Sequence, residues 1–334
     1  MGSYSDKMVE GYCEVPGGKI WYGVFNSELP SDLPSELSSD QIPLICIHGG
    51  PGYTHNSFTP LAKLERKVVF YDQLGCGKSD RPSDSSLWTI ERHVEELKSL
   101  IKHLGFEQVY LLGHSWGTIV ALEYAVKYPK KLEAVVFASS CISVPKWIED
   151  SKRLIKDLKK EDQRAIKIGN QLGEYHLEDY QKASNEYYKK FICRAEPKPK
   201  ELILSDKLSG PEVYLHMWGP NEFTLLGSLK DYDGSNKLKS VNIPALVTCG
   251  RYDEGTPESS EYYASMLSNS TLSVIEGCAH FPHVEQKNEY LKVLNTFLND
   301  CDLGQELTKK PYLAFALLLA VAFSLLILMY VFIN

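Results

Sequence analysis

A serine flanked by glycines lies between two apolar segments near the middle of the chain. Residues 109–125 read VYLLGHSWGTIVALEYA, with Gly113 and Gly117 two residues before and after Ser115. Gly-X-Ser-X-Gly between a strand and a helix is the pattern of a nucleophile elbow, a turn so sharp that both glycine positions must lack bulk. Such a turn lifts the serine above the carboxyl edge of a sheet and directs the N-terminus of the next helix at the reacting centre. The pattern therefore predicts a nucleophilic serine.

A nucleophilic serine needs a base and a group that orients the base. After an elbow of this kind the acid follows the serine and the histidine comes last. Asp253 and His280 lie in the loops that follow the last two apolar, strand-like runs, so both are expected at the same sheet edge as the serine. We predict Ser115 as the nucleophile, His280 as the base and Asp253 as the orienting acid. His283, three residues beyond His280, is the alternative base.

Acyl transfer also needs hydrogen-bond donors for the oxyanion that forms on the attacked carbonyl. The segment HGGPG, residues 48–52, follows an apolar strand-like run, and its glycines let the backbone approach a substrate closely. We assign the two donors to the backbone N–H groups of Gly50 and Trp116. His48 is expected to brace the loop by hydrogen bonding, with a direct catalytic role as the alternative.

These residues require a sheet whose strands alternate with helices. Continuous apolar runs are typical of buried parallel strands. The sequence predicts strands at 19–25, 43–47, 68–71, 109–112, 134–138, 245–248 and 271–275, and helices at 90–104 and 290–298. The alternation stops between about 144 and 240, where helical patches at 148–158 and 180–192 predict an inserted helical cap.

The C-terminal sequence favours a membrane span. Residues 312–333 are 22 residues without a charge, Asn or Gln, and a helix of that length extends ~33 Å against roughly 30 Å for a bilayer core. Lys309 and Lys310 precede this run, and the first ten residues contain no secretory signal pattern. The sequence thus predicts a single-pass C-terminal anchor with the catalytic domain in the cytosol, the ER membrane being favoured over the mitochondrial outer membrane.

The expected fold class is α/β, with a mostly parallel sheet, helices on both faces, the cap and the C-terminal transmembrane helix. The predicted domains are a core formed by residues 1–143 and 241–300, the cap at 144–240, a linker at 301–310 and the transmembrane helix at 311–333. A net charge of −7 gives no general affinity for nucleic acid. The histidines and singly scattered cysteines form no zinc-type pattern, so no metal or organic cofactor is expected. The sequence does not indicate the oligomeric state.

Four motifs together resemble those of the proline iminopeptidase family of α/β-hydrolases. They are HGGPG, DQLGCGKSDRP (72–82), GHSWGT and GRYDE. The segment WGPNEFT (218–224) is similar to a segment of the cap in the tricorn-associated aminopeptidase and L-amino acid amidase branch. Over about residues 10–300, the resemblance implies an α/β-hydrolase fold. It also implies a serine aminopeptidase or amidase that releases an N-terminal residue through an acyl-enzyme.

The resemblance further implies that Glu222 and Glu254 bind the α-ammonium group of the substrate, since carboxylates pair with such a charge in a desolvated pocket. The alternatives are a surface carboxylate of the cap for Glu222 and a favourable helix N-terminal charge for Glu254. No aromatic cage for proline can be placed within 144–215. The expected substrates are therefore short peptides or amino acid amides that begin with proline or another apolar residue.

Two other functions stay open. A membrane-tethered carboxylesterase or lipid ester hydrolase would keep the serine, acid and histidine but would not need two glutamates at an ammonium site. A non-catalytic binding protein with a hydrolase fold belongs to another class, and the complete set of elbow, base, acid and oxyanion loop argues against it. Epoxide hydrolases and dehalogenases use an aspartate nucleophile where this chain has Ser115.

Overall fold

An eight-stranded sheet forms the centre of the computed structural model, which describes residues 8–26 and 41–305. Its strands are β1 (Met8–Val15), β2 (Gly18–Phe25), β3 (Leu44–Ile47), β4 (Val68–Tyr71), β5 (Val109–His114), β6 (Leu132–Ala138), β7 (Ala245–Gly250) and β8 (Ser270–Ile275). The strand order is β1-β2-β4-β3-β5-β6-β7-β8. β1 and β2 pair antiparallel and β2 pairs antiparallel with β4, whereas β4, β3 and β5 to β8 are mutually parallel. The predicted mostly parallel α/β sheet is confirmed.

Helices cover both faces of this sheet and also form an insertion. The sheet-covering helices are α1 (Ile90–His103), α2 (Trp116–Lys127), α8 (Pro257–Met266) and α10 (Lys287–Asp302), and α9 (Pro282–Glu285) is a single turn before α10. Between β6 and β7 lie α3 (Val144–Ile155), α4 (Lys160–Leu172), α5 (Glu178–Phe191), α6 (Lys200–Leu208) and α7 (Pro211–Met217). The insertion falls where a cap was predicted, and the domain limits drawn from the sequence stay predictions.

Two apolar layers explain why the central strands read as continuous hydrophobic runs. Every residue of β3, β4 and β5 is buried, because both faces of the sheet are covered. One layer includes Leu97 of α1 and Ile119 of α2. The opposite layer includes Phe58 of a 3₁₀ segment and Phe297 of α10. The sheet therefore forms a rigid support whose carboxyl edge remains available for loops.

The helical insertion has an apolar cluster of its own and is hydrogen-bonded to the sheet edge. The cluster includes Leu154, Ile166, Tyr180 and Tyr187. At the end of α5, two backbone carbonyls accept hydrogen bonds from loops of the core: Phe191 O from the N–H of Glu254 (3.2 Å) and Ile192 O from the N–H of His280 (3.0 Å). The insertion is thus attached directly to the two loops that carry the predicted acid and base.

The structure corrects the expected membrane span. Within residues 8–26 and 41–305, no helix is both long and apolar enough to cross a membrane. The longest described helix, α10, has 16 residues, about 24 Å at 1.5 Å per residue, and it buries its apolar side against the sheet. The predicted fold is therefore wrong in its transmembrane helix, and the membrane location and membrane partner derived from that helix are not supported. The segment 311–333, on which they rested, lies outside the described residues.

Candidate active site

The turn from β5 into α2 holds Ser115 in a strained conformation. Its backbone has φ 54° and ψ −123°, a region that costs a residue other than glycine about 1–3 kcal/mol. A Cβ at Gly113 would lie 2.3 Å from the carbonyl oxygen of Gly117, and a Cβ at Gly117 would lie 2.2 Å from that of Ile47. Neither position can hold a side chain without displacing backbone, as the sharp elbow predicted from the sequence requires.

His280 and Asp253 form a buried hydrogen-bonded pair. Nδ1 of His280 lies 2.7 Å from Oδ1 of Asp253, which also accepts the N–H of Gly255 at 2.8 Å. Burial acts to lower the pKa of His280, but Asp253 and then Glu222 outweigh it, and the pKa lies above its usual value. Because the carboxylate of Asp253 can only accept, Nδ1 carries the proton and Nε2 is the basic nitrogen.

A cavity of about 200 Å³ brings the predicted nucleophile and base together. Ser115 and His280 both line it, together with Gly50 and Glu222. Ser115 is 6% exposed and His280 is 4% exposed, so the reaction site is largely removed from bulk solvent. Electrostatic interactions in such a site are much stronger than in water.

The alternative base, His283, lies outside this arrangement. Its ring packs among other rings, with centroids 5.3 Å from Phe58 and 4.9 Å from His114. Neither ring nitrogen has a hydrogen-bond partner among the described residues. Burial lowers the pKa of His283 to about 3. The carboxylate of Asp253 is paired with His280 instead.

The glycine-rich loop after β3 lies directly against the nucleophile. A Cβ at Gly49 would be only 3.0 Å from Cβ of Ser115, and Gly50, at φ 109°, lines the cavity. Trp116 is the first residue of α2 and is fully buried. Backbone N–H groups in the first turn of a helix have no partner within that helix. The loop and the helix start therefore meet at Ser115, where the oxyanion donors were expected.

Sequence reasoning missed two polar residues that follow β4. Asp72 is buried and accepts the backbone N–H groups of His55 and Lys78, each at 2.9 Å. Gln73 is hydrogen-bonded to both His48 and Trp116. Polar residues at the carboxyl end of a buried parallel strand were the available signal, since that edge carries the site.

Glu222 reaches the cavity from a turn that follows α7. Its carbonyl oxygen accepts the indole N–H of Trp147 at 3.0 Å, and the neighbouring Asn221 donates to the hydroxyl of Tyr180 at 2.7 Å. Burial raises the pKa of the Glu222 carboxyl, while His280 and the hydroxyl of Tyr214 act to lower it. The side chain lines the cavity that contains Ser115.

Glu254 is a fully buried carboxyl next to Asp253. Among the described residues, no Lys or Arg forms an ion pair with it and no donor reaches its oxygens with standard hydrogen-bond geometry. The hydroxyl of Tyr187 is the neighbouring donor that acts to lower its pKa. Burial, followed by the charges of Glu222 and Asp253, raises its pKa well above the usual value. Of the two carboxyl groups, the described lining of the Ser115 cavity includes Glu222 and not Glu254, whose charge interacts with that of Glu222. Two interacting carboxyl groups without a Lys or Arg partner form a site suited to a positively charged group of a ligand.

A second cavity of about 440 Å³ continues from the first. The two share the side chains of Tyr53, Tyr214, Glu222 and Phe281, and the second extends between α5 and α6 toward exposed residues such as Lys189. The Ser115 cavity is thereby connected to a larger space that can hold more of a substrate.

Comparisons with known proteins agree with this architecture. The model of the alpha/beta hydrolase fold family matches residues 42–287. A proline iminopeptidase of Heyndrickxia coagulans is 41% identical over 295 residues, which cover 87% of this chain and 98% of that protein. A proline iminopeptidase of Clostridium botulinum is 34% identical over 301 residues, which cover 89% of this chain and 100% of that protein.

A solved structure gives the same result. The crystal structure of the proline iminopeptidase of Mycobacterium smegmatis superposes with a TM-score of 0.81 at 30% identity and covers 89% of this chain and 99% of its own. The family and the enzyme class predicted from the motifs are confirmed. The chain belongs to the proline iminopeptidase family of α/β-hydrolases.

Proposed function

We propose that this protein is a serine aminopeptidase that removes an N-terminal proline, or another apolar residue, from short peptides or amino acid amides. The observation that carries the proposal is the carboxyl group of Glu222 in the lining of the cavity of Ser115 and His280, with the buried carboxyl group of Glu254 close enough for the two charges to interact. Relatives that carry the name proline iminopeptidase support the same reaction class.

In the proposed first half-reaction, Oγ of Ser115 attacks the carbonyl carbon of the N-terminal residue while Nε2 of His280 takes its proton. Asp253 stabilises the imidazolium that forms. The oxyanion of the tetrahedral intermediate accepts hydrogen bonds from the N–H groups of Gly50 and Trp116. His280 then gives the proton to the leaving amine as the C–N bond breaks, and an ester to Ser115 remains.

The second half-reaction repeats these steps with water. His280 takes a proton from the water that attacks the ester carbonyl, and it returns that proton to Oγ of Ser115 when the C–O bond of the ester breaks. The products are the free amino acid and the original enzyme. The raised pKa of His280 keeps part of the histidine protonated near neutral pH, so the base form increases as the pH rises.

The two glutamates explain why the enzyme would act at a chain terminus. An α-ammonium group placed between Glu222 and Glu254 gains two charge-assisted contacts in a desolvated site. It also offsets the burial that raises the pKa of both carboxyl groups, and so favours their ionised forms. A residue in the middle of a peptide chain has no α-ammonium group, because its nitrogen is part of a neutral peptide bond. The arrangement thus selects the first residue of a peptide.

Acetylation of the substrate tests this proposal. We expect prolyl and leucyl p-nitroanilides to be hydrolysed, and their N-acetyl counterparts to lose ~10²–10³-fold in kcat/KM, because a buried charge pair that loses one partner typically costs ~3–5 kcal/mol. Ser115→Ala should hydrolyse none of them. Equal rates for free and acetylated substrates would show that no ammonium site operates. A wild-type enzyme inactive toward all four would refute the proposed aminopeptidase.

A further inference from the structure

Gln73 joins the two segments that carry the proposed oxyanion donors. Its side-chain Nε2 donates to the carbonyl oxygen of His48 at 2.9 Å, and its Oε1 accepts the indole N–H of Trp116 at 2.9 Å. Its backbone N–H donates to Nε2 of His48 at 3.0 Å. Gln73 is 1% exposed, and both partners are fully buried. Three hydrogen bonds therefore connect the HGGPG loop to the start of α2 through one residue.

The donors and acceptors in this contact fit only one arrangement. A reversed Gln73 amide would place its NH₂ against the indole N–H and its oxygen against the carbonyl of His48. Because Nε2 of His48 accepts a hydrogen bond, the ring proton is on Nδ1, which donates to the carbonyl of Gly49 at 2.9 Å. Burial lowers the pKa of His48 to about 4, so the ring stays neutral at neutral pH. The network thus fixes the loop in a single position.

We propose that Gln73 is a positioning residue that sets the separation between the N–H groups of Gly50 and Trp116 in the oxyanion hole. The proposal rests on the acyl transfer described above. Within the described residues, the lining of the Ser115 cavity does not include Gln73, so Gln73 acts through His48 and Trp116. Oxyanion donors stabilise charge only when they lie about 2.7–3.1 Å from the developing anion, and a misplacement of about 1 Å costs ~10²-fold in rate.

Gln73→Glu isolates this role because it preserves the size of the side chain. The introduced carboxylate still accepts from Trp116, but it places a second acceptor against the carbonyl of His48. When protonated, the same group donates to that carbonyl and restores the native pattern. The titratable and charged groups around this position are His48, His55, Asp72, Cys76, His93, and Glu96 with its ion-pair partner Arg92. Burial and the carboxylates of Asp72 and Glu96 act to raise the pKa of the introduced group, and Arg92 acts to lower it.

The test compares pH profiles on p-nitrophenyl acetate, which has no ammonium group. At pH 8, Gln73→Glu should lower kcat about 10- to 100-fold with KM unchanged, and the loss relative to wild type should shrink as the pH falls. Gln163→Glu is the matched control, because Nε2 of Gln163, like that of Gln73, donates to backbone carbonyl oxygen, here Lys156 O (2.9 Å) and Leu158 O (2.8 Å) in the helical insertion. It should keep the wild-type profile.

Two inhibitors separate a positioning role from a general effect on the fold. An aminoalkyl boronic acid forms a tetrahedral adduct with Ser115 and should bind the variant more weakly in proportion to the loss of kcat/KM. Pyrrolidine, which carries an ammonium group but no carbonyl or carboxyl oxygen, should bind with unchanged affinity. A loss that is independent of pH, or that weakens both inhibitors equally, overturns the proposal.

Trp116→Phe removes the indole N–H that donates to Gln73 and introduces no charge. This variant keeps the proposal testable if Gln73→Glu does not fold. We expect a smaller fall in kcat with KM unchanged, and a folded variant with wild-type kcat overturns the proposal. Hydrolysis of p-nitrophenyl acetate does not involve the two glutamates, so these variants test the role of Gln73 alone. A failure of the proposed aminopeptidase function would appear differently, as a wild-type enzyme that is inactive on aminoacyl amides.

Discussion

At the scale of single residues, two histidines only three positions apart have opposite surroundings. His280 is hydrogen-bonded to Asp253 and lines the cavity of Ser115. His283 is buried among aromatic rings without a hydrogen-bond partner in the described region of the chain. The proposed mechanism needs a base with an orienting carboxylate and access to the serine, and only the surroundings of His280 meet both conditions.

This contrast gives a prediction for kinetics. His280→Ala should lower kcat/KM for prolyl p-nitroanilide by several orders of magnitude, because members of a catalytic triad act as a unit. His283→Leu should keep most of the activity, since an apolar side chain suits a site among Phe58, His114 and Tyr290. Circular dichroism of both variants serves as the control for folding. If His283→Leu lost activity and His280→Ala kept it, the catalytic base would have to be assigned to His283 instead of His280.

The site residues that can be predicted from the sequence are those that lie in a short motif or directly after a predicted strand. Ser115 follows from the elbow, and Asp253 and His280 follow from their places after parallel strands. The position of Gln73 after a buried strand was a signal for the site, but its contacts were not predictable, because its partners His48 and Trp116 come from other segments of the chain and meet it only in the fold. The roles assigned to all of these residues stay proposals.

At the scale of elements, the turn from β5 into α2 holds Ser115 in a strained backbone conformation. Ser115 has φ 54°, and the backbone packs so closely on both sides that a Cβ at Gly113 or Gly117 would clash with a carbonyl oxygen. Residues are kept in such strained conformations only where the contacts of the surrounding structure hold them in place. Here the N–H of Ser115 is held by the carbonyl of Ala138 in the next strand, at 2.9 Å.

The strain predicts an unusual order of stability for two inactive variants. Ser115→Gly should be more stable than Ser115→Ala by about 1 kcal/mol, because alanine keeps the strain of about 1–3 kcal/mol while glycine relieves it and loses only about 0.4–1 kcal/mol through the unfolded state. Urea unfolding of both variants measures the difference. In an unstrained position alanine is the more stable residue, and that order would contradict the account of the elbow.

The elements found from sequence are those with a strong apolar pattern. The strand predicted at 68–71 is β4, and the helix predicted at 90–104 matches α1 within one residue. β1 was missed because it is an edge strand in which only Cys13 and Val15 are buried. In α4 only Ile166 and Gly169 are buried, so its sequence carries little of the periodicity that reveals an amphipathic helix.

At the scale of the whole molecule, the proposed site is maintained at a cost in stability. Glu254 is buried without a hydrogen bond of standard geometry from the described residues, and burial raises its pKa well above the usual value of 4.5 although the hydroxyl of Tyr187 acts to lower it. The folded protein therefore binds this proton more tightly than the unfolded chain. Above pH 4.5 the unfolded chain loses the proton first, so the contribution of Glu254 becomes less favourable to folding until the pH passes the folded-state pKa.

Glu254→Gln should remove this dependence. The variant should match wild type in its free energy of unfolding near pH 4.5 and exceed it increasingly at higher pH, by about 1.4 kcal/mol for each unit by which the folded-state pKa is raised. Urea unfolding at pH 5 and pH 8 measures both differences. Glu212→Gln, at an exposed position of α7, should show no comparable gain. A variant less stable than wild type at pH 8 would mean that the Glu254 carboxylate has a stabilising partner.

The membrane span was the element of the whole-molecule prediction that the structure overturned. The rule behind it considers only the length and charge of one apolar run. The described helices, by contrast, are amphipathic or are buried against the sheet, and within residues 8–26 and 41–305 none could cross a membrane. The predictions of the sheet, the insertion and the site rest instead on several apolar runs and motifs that support one another.

The central claim, that Glu222 and Glu254 bind the ammonium group of the substrate, is tested most directly by Glu222→Gln at pH 8 on two substrates. Glu212→Gln, the same exchange at the exposed position of α7, is the matched control and should equal wild type on both. We predict a loss of ~10²–10³-fold in kcat/KM for prolyl p-nitroanilide. Hydrolysis of p-nitrophenyl acetate should be nearly unchanged, since Ser115, His280 and the oxyanion donors remain. Equal losses on both substrates, or no loss on the anilide, would contradict the claim.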